Sequence, residues 1–129
     1  MREALICIRN IHPQNIIIDD DKYIKLTNFS NAKHLKNQRT YTICGSAEYL
    51  APEIINDEAQ GHEVDWWAFG ILIYEMLTGI EEMFYWNRGL SFLIGSDPFY
   101  NNDPMVMYQN IVNCKIEFPS NFDKYRERN

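Results

Sequence analysis

The chain has 129 residues, of which 46% are hydrophobic and 23% charged, and its formal net charge is −6. This length corresponds to at most one domain, and the absence of repeats or low-complexity tracts excludes repeat and disordered classes. The acidic balance and the lack of a basic stripe argue against a nucleic-acid-binding surface and are compatible with basic peptide or protein partners.

The three cysteines, Cys7, Cys44 and Cys114, are widely spaced and form no C-x-x-C pair. This spacing predicts reduced thiols and disfavours a zinc site or a disulfide framework. The first residues do not show the charged-then-apolar pattern of a signal segment, and no apolar run is long enough to cross a bilayer. We therefore expect a cytoplasmic protein without membrane contact.

The first predicted elements are short strands. Residues 4–8 form an apolar run, and a polar loop with a proline then leads to the β-branched residues 16–18. The acidic turn cluster at residues 19–22 is followed by residues 23–26, in which apolar and polar side chains alternate. Two short strands about a polar turn predict a β-hairpin.

Residues 64–77 predict the central helix of the fold. Apolar side chains occupy nearly every position, and only Asp65 and Glu75 are charged. A helix that is apolar all round is typical of a buried position, and this run is too short for a membrane span. Asp65 in the first turn and Gly79 after the last turn suit the two ends of such a helix.

The second half of the chain predicts a further helix. Residues 42–53 read as a loop that ends in a helical turn, and residues 81–96 are rich in aromatic side chains. Asp103 and Pro104 form a cap and first-turn signal for a helix to about Asn113. Its apolar face is predicted to comprise Met105, Tyr108, Ile111 and Val112. The predicted fold is α+β, predominantly α, with a small hairpin and a central buried helix.

Four motifs carry a resemblance to a known family. Residues 9–15 read Arg-Asn-Ile-His-Pro-Gln-Asn, residues 28–30 Asn-Phe-Ser, residues 51–53 Ala-Pro-Glu, and residues 65–70 Asp-Trp-Trp-Ala-Phe-Gly. The first three stand at the spacing of the catalytic loop, the metal-binding triplet and the activation-segment end of protein kinases. Together with residues 65–70 they resemble the C-terminal lobe of a eukaryotic serine/threonine kinase. Residues 39–53 most resemble the catalytic subunit of cAMP-dependent protein kinase and its AGC-group relatives.

The resemblance implies a partial protein kinase domain over residues 1–129. It covers residues 6–122 except 81–96, and implies a C-terminal lobe without the N-terminal lobe and the last C-terminal helices. ATP and Mg²⁺ are the cofactors of the family, and peptide substrates or regulatory subunits are its partners. Glu53 resembles a residue that pairs with a late arginine, and the chain ends before any such partner.

Several catalytic positions of the family are substituted here. Asn10 stands at the position of the base, and an amide cannot hold a proton near neutral pH. His12 replaces the lysine that resembles a phosphate clamp. Asn28 replaces a carboxylate that ligates magnesium, while Asn15, the other metal-binding position, is retained. Ser30 replaces a glycine chosen for backbone freedom. The resemblance therefore implies weakened catalysis and doubtful binding of ATP and Mg²⁺.

The peptide-binding positions are partly retained. Gln14 replaces a glutamate that reads a basic residue, and Ala47 replaces a proline of the peptide-positioning loop. Ile43 and Leu50 match a hydrophobic pocket for the residue after the phosphoacceptor. Glu75 matches an acidic residue that faces basic substrate side chains, although it could equally be a surface glutamate at a helix end.

Regulatory and structural positions of the family are retained. Thr42, with Arg9 and Lys33, matches a phosphorylated threonine gripped by basic side chains. An unmodified loop threonine remains the alternative. Asp65 matches a carboxylate that braces the catalytic loop.

Other conspicuous side chains have structural interpretations. His12, His34 and His62 lack metal-ligand spacing and are interpreted as solvated loop histidines. Trp66 and Trp67 are interpreted as core packing.

Residues 81–96 interrupt the family spacing as an insertion. Exposed aromatic side chains would suit a loop that binds a partner. A retained intron or a mistaken gene prediction is the alternative, because deletion of these residues restores the family spacing.

These observations favour a catalytically impaired pseudokinase or binding module. One alternative is a part of an active ATP-dependent serine/threonine kinase. Another is a non-functional truncated or decaying gene product, whose central helix would expose apolar surface and make the isolated chain prone to aggregate.

Overall fold

The computed structural model describes residues 6–36, 38–78 and 97–118. Residues 1–5 and the predicted insertion at 81–96 lie outside the described residues. A few helices and small antiparallel sheets make up the described part, which confirms the expected α+β composition. The elements in chain order are β1 (Ile6–Cys7), β2 (Ile16–Ile18), β3 (Ile24–Leu26), β4 (Lys33–His34), α1 (Pro52–Ile55), α2 (Glu63–Thr78) and α3 (Pro104–Val112).

The predicted hairpin is formed by β2 and β3. They pair antiparallel, with Ile16 opposite Leu26. Asp19 closes the turn, because its Oδ1 accepts a hydrogen bond of 2.8 Å from the Tyr23 amide and its Oδ2 lies 2.6 Å from Lys25 Nζ. The open end of this hairpin therefore holds the residues just before β2 and just after β3 side by side.

The pairing of β1 with β4 was not predicted. Cys7 lies opposite Lys33 in this two-residue antiparallel ladder. Strands of two residues are too short for an alternating pattern, so the sequence offers no periodic signal for them. The pairing brings the segment after β1 close to the segment before β4.

The helix predicted over residues 64–77 is α2, but the expectation that it is buried all round is wrong. One side faces the core through Val64, Ala68 and Ile71. The opposite side is exposed, and Trp66 is 73% exposed, so its interpretation as core packing is also wrong. We call this exposed side the outer face of α2; it comprises Trp66, Phe69, Ile73, Met76 and Leu77. An all-apolar pattern does not reveal which faces have neighbours, and the described elements cover only one side.

Two connected clusters form the core against α2. The first comprises Cys7, Leu35, Leu50, Ala51, Ile54 and Val64, and the second comprises Ile71, Phe99, Met107 and Ile111. Trp67 packs against both, and its ring stacks on Phe99 with centroids 5.7 Å apart. The interpretation of Trp67 as a packing residue is thus confirmed.

The last described helix, α3, begins where the sequence predicts. Asp103 Oδ1 accepts a hydrogen bond of 2.9 Å from the Met105 amide, and Pro104 occupies the first turn. The predicted apolar face is only partly correct. Met107 and Ile111, four residues apart on one face, are buried, whereas Met105 is 65% exposed. Val112 is exposed as well, because the face that α3 turns towards α1 is centred on Met107 and Ile111.

None of the helices in the described ranges is long and apolar enough to cross a membrane.

Candidate functional site

The candidate site begins at the loop that follows β1. Asp65, in the first turn of α2, accepts hydrogen bonds of 2.7 Å from the backbone amides of Ile8 and Arg9, one on each carboxylate oxygen. Arg9 has a left-handed backbone conformation, with φ of 59°. A carboxylate that takes two consecutive amides fixes both the position and the direction of this loop.

Asn15 lies at the centre of the site and is buried, with 6% of its surface exposed. Its Nδ2 lies 3.0 Å from the Asn10 carbonyl oxygen and 2.8 Å from His12 Nε2. Its Oδ1 accepts a hydrogen bond of 3.2 Å from Asn28 Nδ2. The hairpin positions the pair, because the Thr27 amide donates to the Asn15 carbonyl at 2.8 Å. The structure thus brings together four residues that the sequence selected.

The interpretation of His12 as a solvated loop histidine is wrong. Only 8% of its surface is exposed, its Nδ1 is hydrogen-bonded to Gln14 Oε1, and its ring lies 5.9 Å from the ring of Tyr49. His12 can be buried because each of its ring nitrogens has a polar partner, Gln14 or Asn15. The loop sequence did not indicate these partners. His34 is exposed and His62 is partly exposed.

Asn28 and Ser30 complete this group of side chains. Ser30 Oγ donates to Asn28 Oδ1 at 2.8 Å. Asn28 has φ of 55° and ψ of 68°, a left-handed conformation that asparagine tolerates better than most residues.

The donor set around Asn15 does not fit a magnesium ion. Mg²⁺ prefers an octahedral set of oxygens that includes carboxylates. Here the two candidate ligands are neutral amides, and both amide oxygens already accept hydrogen bonds, from Asn28 Nδ2 and from Ser30 Oγ. The described ranges also contain no cluster of three or more His, Cys, Asp or Glu side chains that could hold a metal. Asn10 adds no group that can accept a proton.

The acidic side of the site centres on Glu75. Only 6% of its surface is exposed, so the alternative of a surface glutamate is wrong. The Tyr49 hydroxyl donates to the Glu75 carboxylate. Burial raises the pKa of Glu75, and the charges of Asp97 and Glu48 raise it further. Burial and the Glu75 carboxylate also raise the pKa of Tyr49.

Tyr49 and Asp97 also belong to the site, although no sequence pattern predicts a role for either residue. Tyr49 contacts both His12 and Glu75, and so joins the polar and acidic parts of the site. Asp97 Oδ1 accepts the Phe99 amide at 2.8 Å, and burial raises the pKa of this carboxyl group. Asp97 comes directly before Pro98 in the sequence and belongs to none of the four motifs, so no pattern indicated it.

The predicted peptide-contact residues lie in different environments. Ile43 is 66% exposed, while Leu50 is buried in the first core cluster. Leu50 and Gly45 line a small cavity that does not include Ile43. Ala47 packs against the second core cluster, and Gln14 is exposed. Ile43 therefore does not belong to the lining of the cavity that Leu50 and Gly45 share.

The region around Thr42 contains a second hydroxyl group, that of Thr40, and the basic side chain of Lys33. Lys33 Nζ donates to Thr40 Oγ1 at 3.0 Å, and Thr40 Oγ1 lies 3.3 Å from Thr42 Oγ1. Arg9 Nε donates to the Asn31 carbonyl at 2.8 Å, and its Nη1 is buried without a partner among the described residues. Lys33 thus contacts the buried Thr40 directly and Thr42 only through it.

Glu53 lies half-buried in the first turn of α1, and its carbonyl accepts the Glu58 amide at 2.8 Å. Among the described residues it forms no ion pair.

In a comparison with known protein families, residues 1–123 match the model of the family described as protein kinase domain. The cAMP-dependent protein kinase catalytic subunit PRKX of Mus musculus is 44% identical over 118 residues, which are 92% of this chain and 28% of that protein. The catalytic subunit of Dictyostelium discoideum is 42% identical over 92% of this chain and 16% of that protein. The cAMP-dependent protein kinase type 3 of Saccharomyces cerevisiae is 39% identical over 91% of this chain and 25% of that protein. The chain therefore spans less than a third of each of these relatives.

Proposed function

Since the chain belongs to the protein kinase domain family and is similar to AGC-type, cAMP-dependent kinases, we propose a function within that family. We propose that the chain is a pseudokinase, which binds protein or peptide partners without transferring phosphate. Its described elements are assigned to the C-terminal lobe of the kinase domain, with residues 81–96 as an insertion. Cys7, Cys44 and Cys114 are free thiols, which supports a reducing compartment such as the cytoplasm.

The pairing of Asn15 with Asn28 carries the proposal. Phosphoryl transfer requires metal-neutralised phosphate charge and a positioned base. The amide oxygens of these two residues are used for hydrogen bonds within the protein, at 3.2 Å and 2.8 Å. Asn10 supplies no carboxylate. A positioned base alone contributes roughly 10²–10⁴ in rate, so the combined loss is incompatible with ordinary kinase turnover.

The acidic side of the site supports the binding of basic peptides. The negative charges of Glu75, Asp97 and Glu48 repel one another. A cationic side chain placed among them would relieve this repulsion and stabilise their charged forms. The partner class is a basic peptide segment of a protein, of the kind that a kinase substrate or a regulatory subunit presents. Thr42 is proposed as a phosphorylation site that would add charge opposite Arg9 and Lys33.

The test measures transfer and binding separately. The purified chain is incubated with radiolabelled ATP, Mg²⁺ and an arginine-rich serine peptide, beside a cAMP-dependent kinase catalytic subunit as the positive control. We expect the rate of phosphate transfer to the peptide to be at least about 100-fold lower than that of the control kinase, because the base position and a metal-binding position are both substituted. Magnesium-dependent transfer at a rate comparable to the control would refute the proposal and favour an active kinase.

Binding of the same fluorescent peptide is measured by anisotropy. We expect saturable binding that weakens with salt and weakens about tenfold in Glu75→Gln. Glu58→Gln is the matched control, because it makes the same charge change at an exposed position. No binding by the unsubstituted chain would contradict the binding role and leave the non-functional alternative.

A further inference from the structure

Five side chains form one continuous hydrogen-bonded series, which we call the polar network: Gln14, His12, Asn15, Asn28 and Ser30. Four of the five are substitutions relative to the kinase motifs. Their contacts are with one another and with Asn15, the position that is retained. The substitutions thus form a connected group in space, although the two loops are separated by the hairpin.

One backbone carbonyl fixes the direction of half of the network. The Asn10 carbonyl can only accept, so the group 3.0 Å away on Asn15 is the amide nitrogen. That nitrogen can only donate, so His12 Nε2, 2.8 Å away, is an acceptor without a proton. A neutral imidazole then carries its proton on Nδ1, which donates to Gln14 Oε1.

The same assignment fixes the other half. Asn15 Oδ1 faces Asn28 and accepts from its Nδ2 at 3.2 Å. Asn28 Oδ1 is therefore the acceptor for the Ser30 hydroxyl at 2.8 Å. Each of the four side-chain contacts in the series therefore joins a donor to an acceptor.

Burial makes these contacts significant for the position of the loops. His12 and Asn15 are 8% and 6% exposed. A buried polar group that loses its partner is left with an uncompensated loss of hydration. Loss of the Asn28 amide donor, with the two loops still in place, would leave Asn15 Oδ1 in that condition.

We propose that the polar network joins these two loops without a divalent cation, so that the chain has an ordered site that does not respond to Mg²⁺. This inference rests on the proposed loss of metal-assisted transfer, but it is independent of peptide binding. An inactive protein that still binds Mg²⁺ would contradict the network and leave the pseudokinase proposal intact.

The first experiment determines the His12 tautomer. The full chain is labelled with ¹⁵N-histidine and examined by NMR at about pH 8, above the usual titration range of imidazole. We expect His12 to carry its proton on Nδ1, and His12→Gln assigns the signals. A proton on Nε2, or rapid exchange between the tautomers, would overturn the proposal.

The second experiment measures thermal stability with millimolar MgCl₂ or with EDTA. We expect the same melting temperature for the unsubstituted chain in both, within about 1 °C. In EDTA we expect Asn28→Asp to melt about 5 °C lower, because a carboxylate cannot donate to Asn15 Oδ1. Gln38→Glu, which makes the same chemical change at an exposed loop position, should leave the melting temperature unchanged.

A magnesium-dependent increase in the melting temperature of the unsubstituted chain would overturn the proposal, as would an unchanged melting temperature in Asn28→Asp. If Asn28→Asp does not fold, Asn28→Ala replaces it, because this variant removes the donor to Asn15 Oδ1 and introduces no charge. A smaller decrease, of about 2 °C, is then expected, and no decrease would contradict the network.

Discussion

At the residue scale, a few buried polar side chains position most of the candidate site. Asp65 holds two backbone amides of the loop after β1, and Asn15 holds that loop to the turn after β3. Both act through hydrogen bonds between groups that are distant in sequence. Such groups are costly to leave unpaired, so conservative substitutions at these positions should have measurable effects.

Asp65→Asn should destabilise the protein by about 1–3 kcal/mol. The amide offers one acceptor oxygen in place of two, so either the Ile8 or the Arg9 amide loses its partner. The free energy of unfolding is measured by urea titration, with Asp20→Asn as an exposed control. Equal stability of the two variants would show that Asp65 does not fix the loop.

Glu75 should make stability decrease as the pH rises through the weakly acidic range. Its pKa in the folded protein is raised above the ordinary 4.5, so the folded protein holds this proton more tightly than the unfolded chain. The stabilisation is therefore complete below about pH 4.5 and is lost as the pH rises through the folded pKa. Asp97 acts in the same direction.

Glu75→Gln keeps an acceptor for the Tyr49 hydroxyl and removes the titration. We expect a shallower decrease in the urea midpoint between about pH 4.5 and pH 7 than in the unsubstituted chain. The remaining slope is attributed to Asp97. Identical slopes in the two proteins would show that Glu75 does not titrate as a buried carboxyl group.

At the element scale, the sequence predicts where helices and the hairpin occur better than which faces they bury. Asp103 with Pro104 marks the start of α3, and the acidic turn at residues 19–22 marks the hairpin, because both signals are local. Burial is decided by neighbours distant in sequence. Trp66 and Met105 are exposed for that reason, although both stand in apolar patterns. The β1–β4 ladder was missed because its strands have two residues each.

The same distinction applies to the candidate site. Motif spacing selected Asn10, Asn15, Asn28 and Asp65, which the structure places around one loop. It could not select Tyr49, whose contacts with His12 and Glu75 depend on the packing of α2.

Asp103→Ala should destabilise α3 by about 0.5–2 kcal/mol, because the Met105 amide loses its side-chain acceptor. Asp103→Asn retains an acceptor oxygen and should recover most of this loss. The two variants are compared by urea denaturation monitored by circular dichroism. A loss of equal size in both would indicate that charge near the helix start, rather than the cap, is responsible.

At the scale of the whole molecule, the outer face of α2 presents several large apolar side chains to the surface. Trp66 is 73% exposed and Leu77 51% exposed. Ile6 and Ile8 line a cavity of about 400 Å³ beside Trp66 and Phe69. Apolar surface of this kind on a monomer is typical of an interface or of a tendency to aggregate.

We expect the isolated chain to associate in a concentration-dependent manner under reducing conditions. Trp66→Glu should shift the population towards the monomer, because it places a charge within the outer face of α2. Tyr23→Glu is the control, since Tyr23 is 71% exposed in the β2–β3 hairpin. Light scattering after size-exclusion chromatography measures the mass, and a monomer at every concentration would contradict the expectation.

The two hydrogen bonds to Asp65 have a consequence for the order of events during synthesis. Each bond joins two residues that are far apart in sequence, with separations of 57 and 56 positions. The loop after β1 is therefore synthesised long before the start of α2. On a ribosome, which builds the chain from its N-terminus, the loop after β1 must wait for Asp65 before both amides have their acceptor. A nascent chain that ends before Asp65 can form the β2–β3 hairpin, whose contacts are local, but it cannot yet complete the loop.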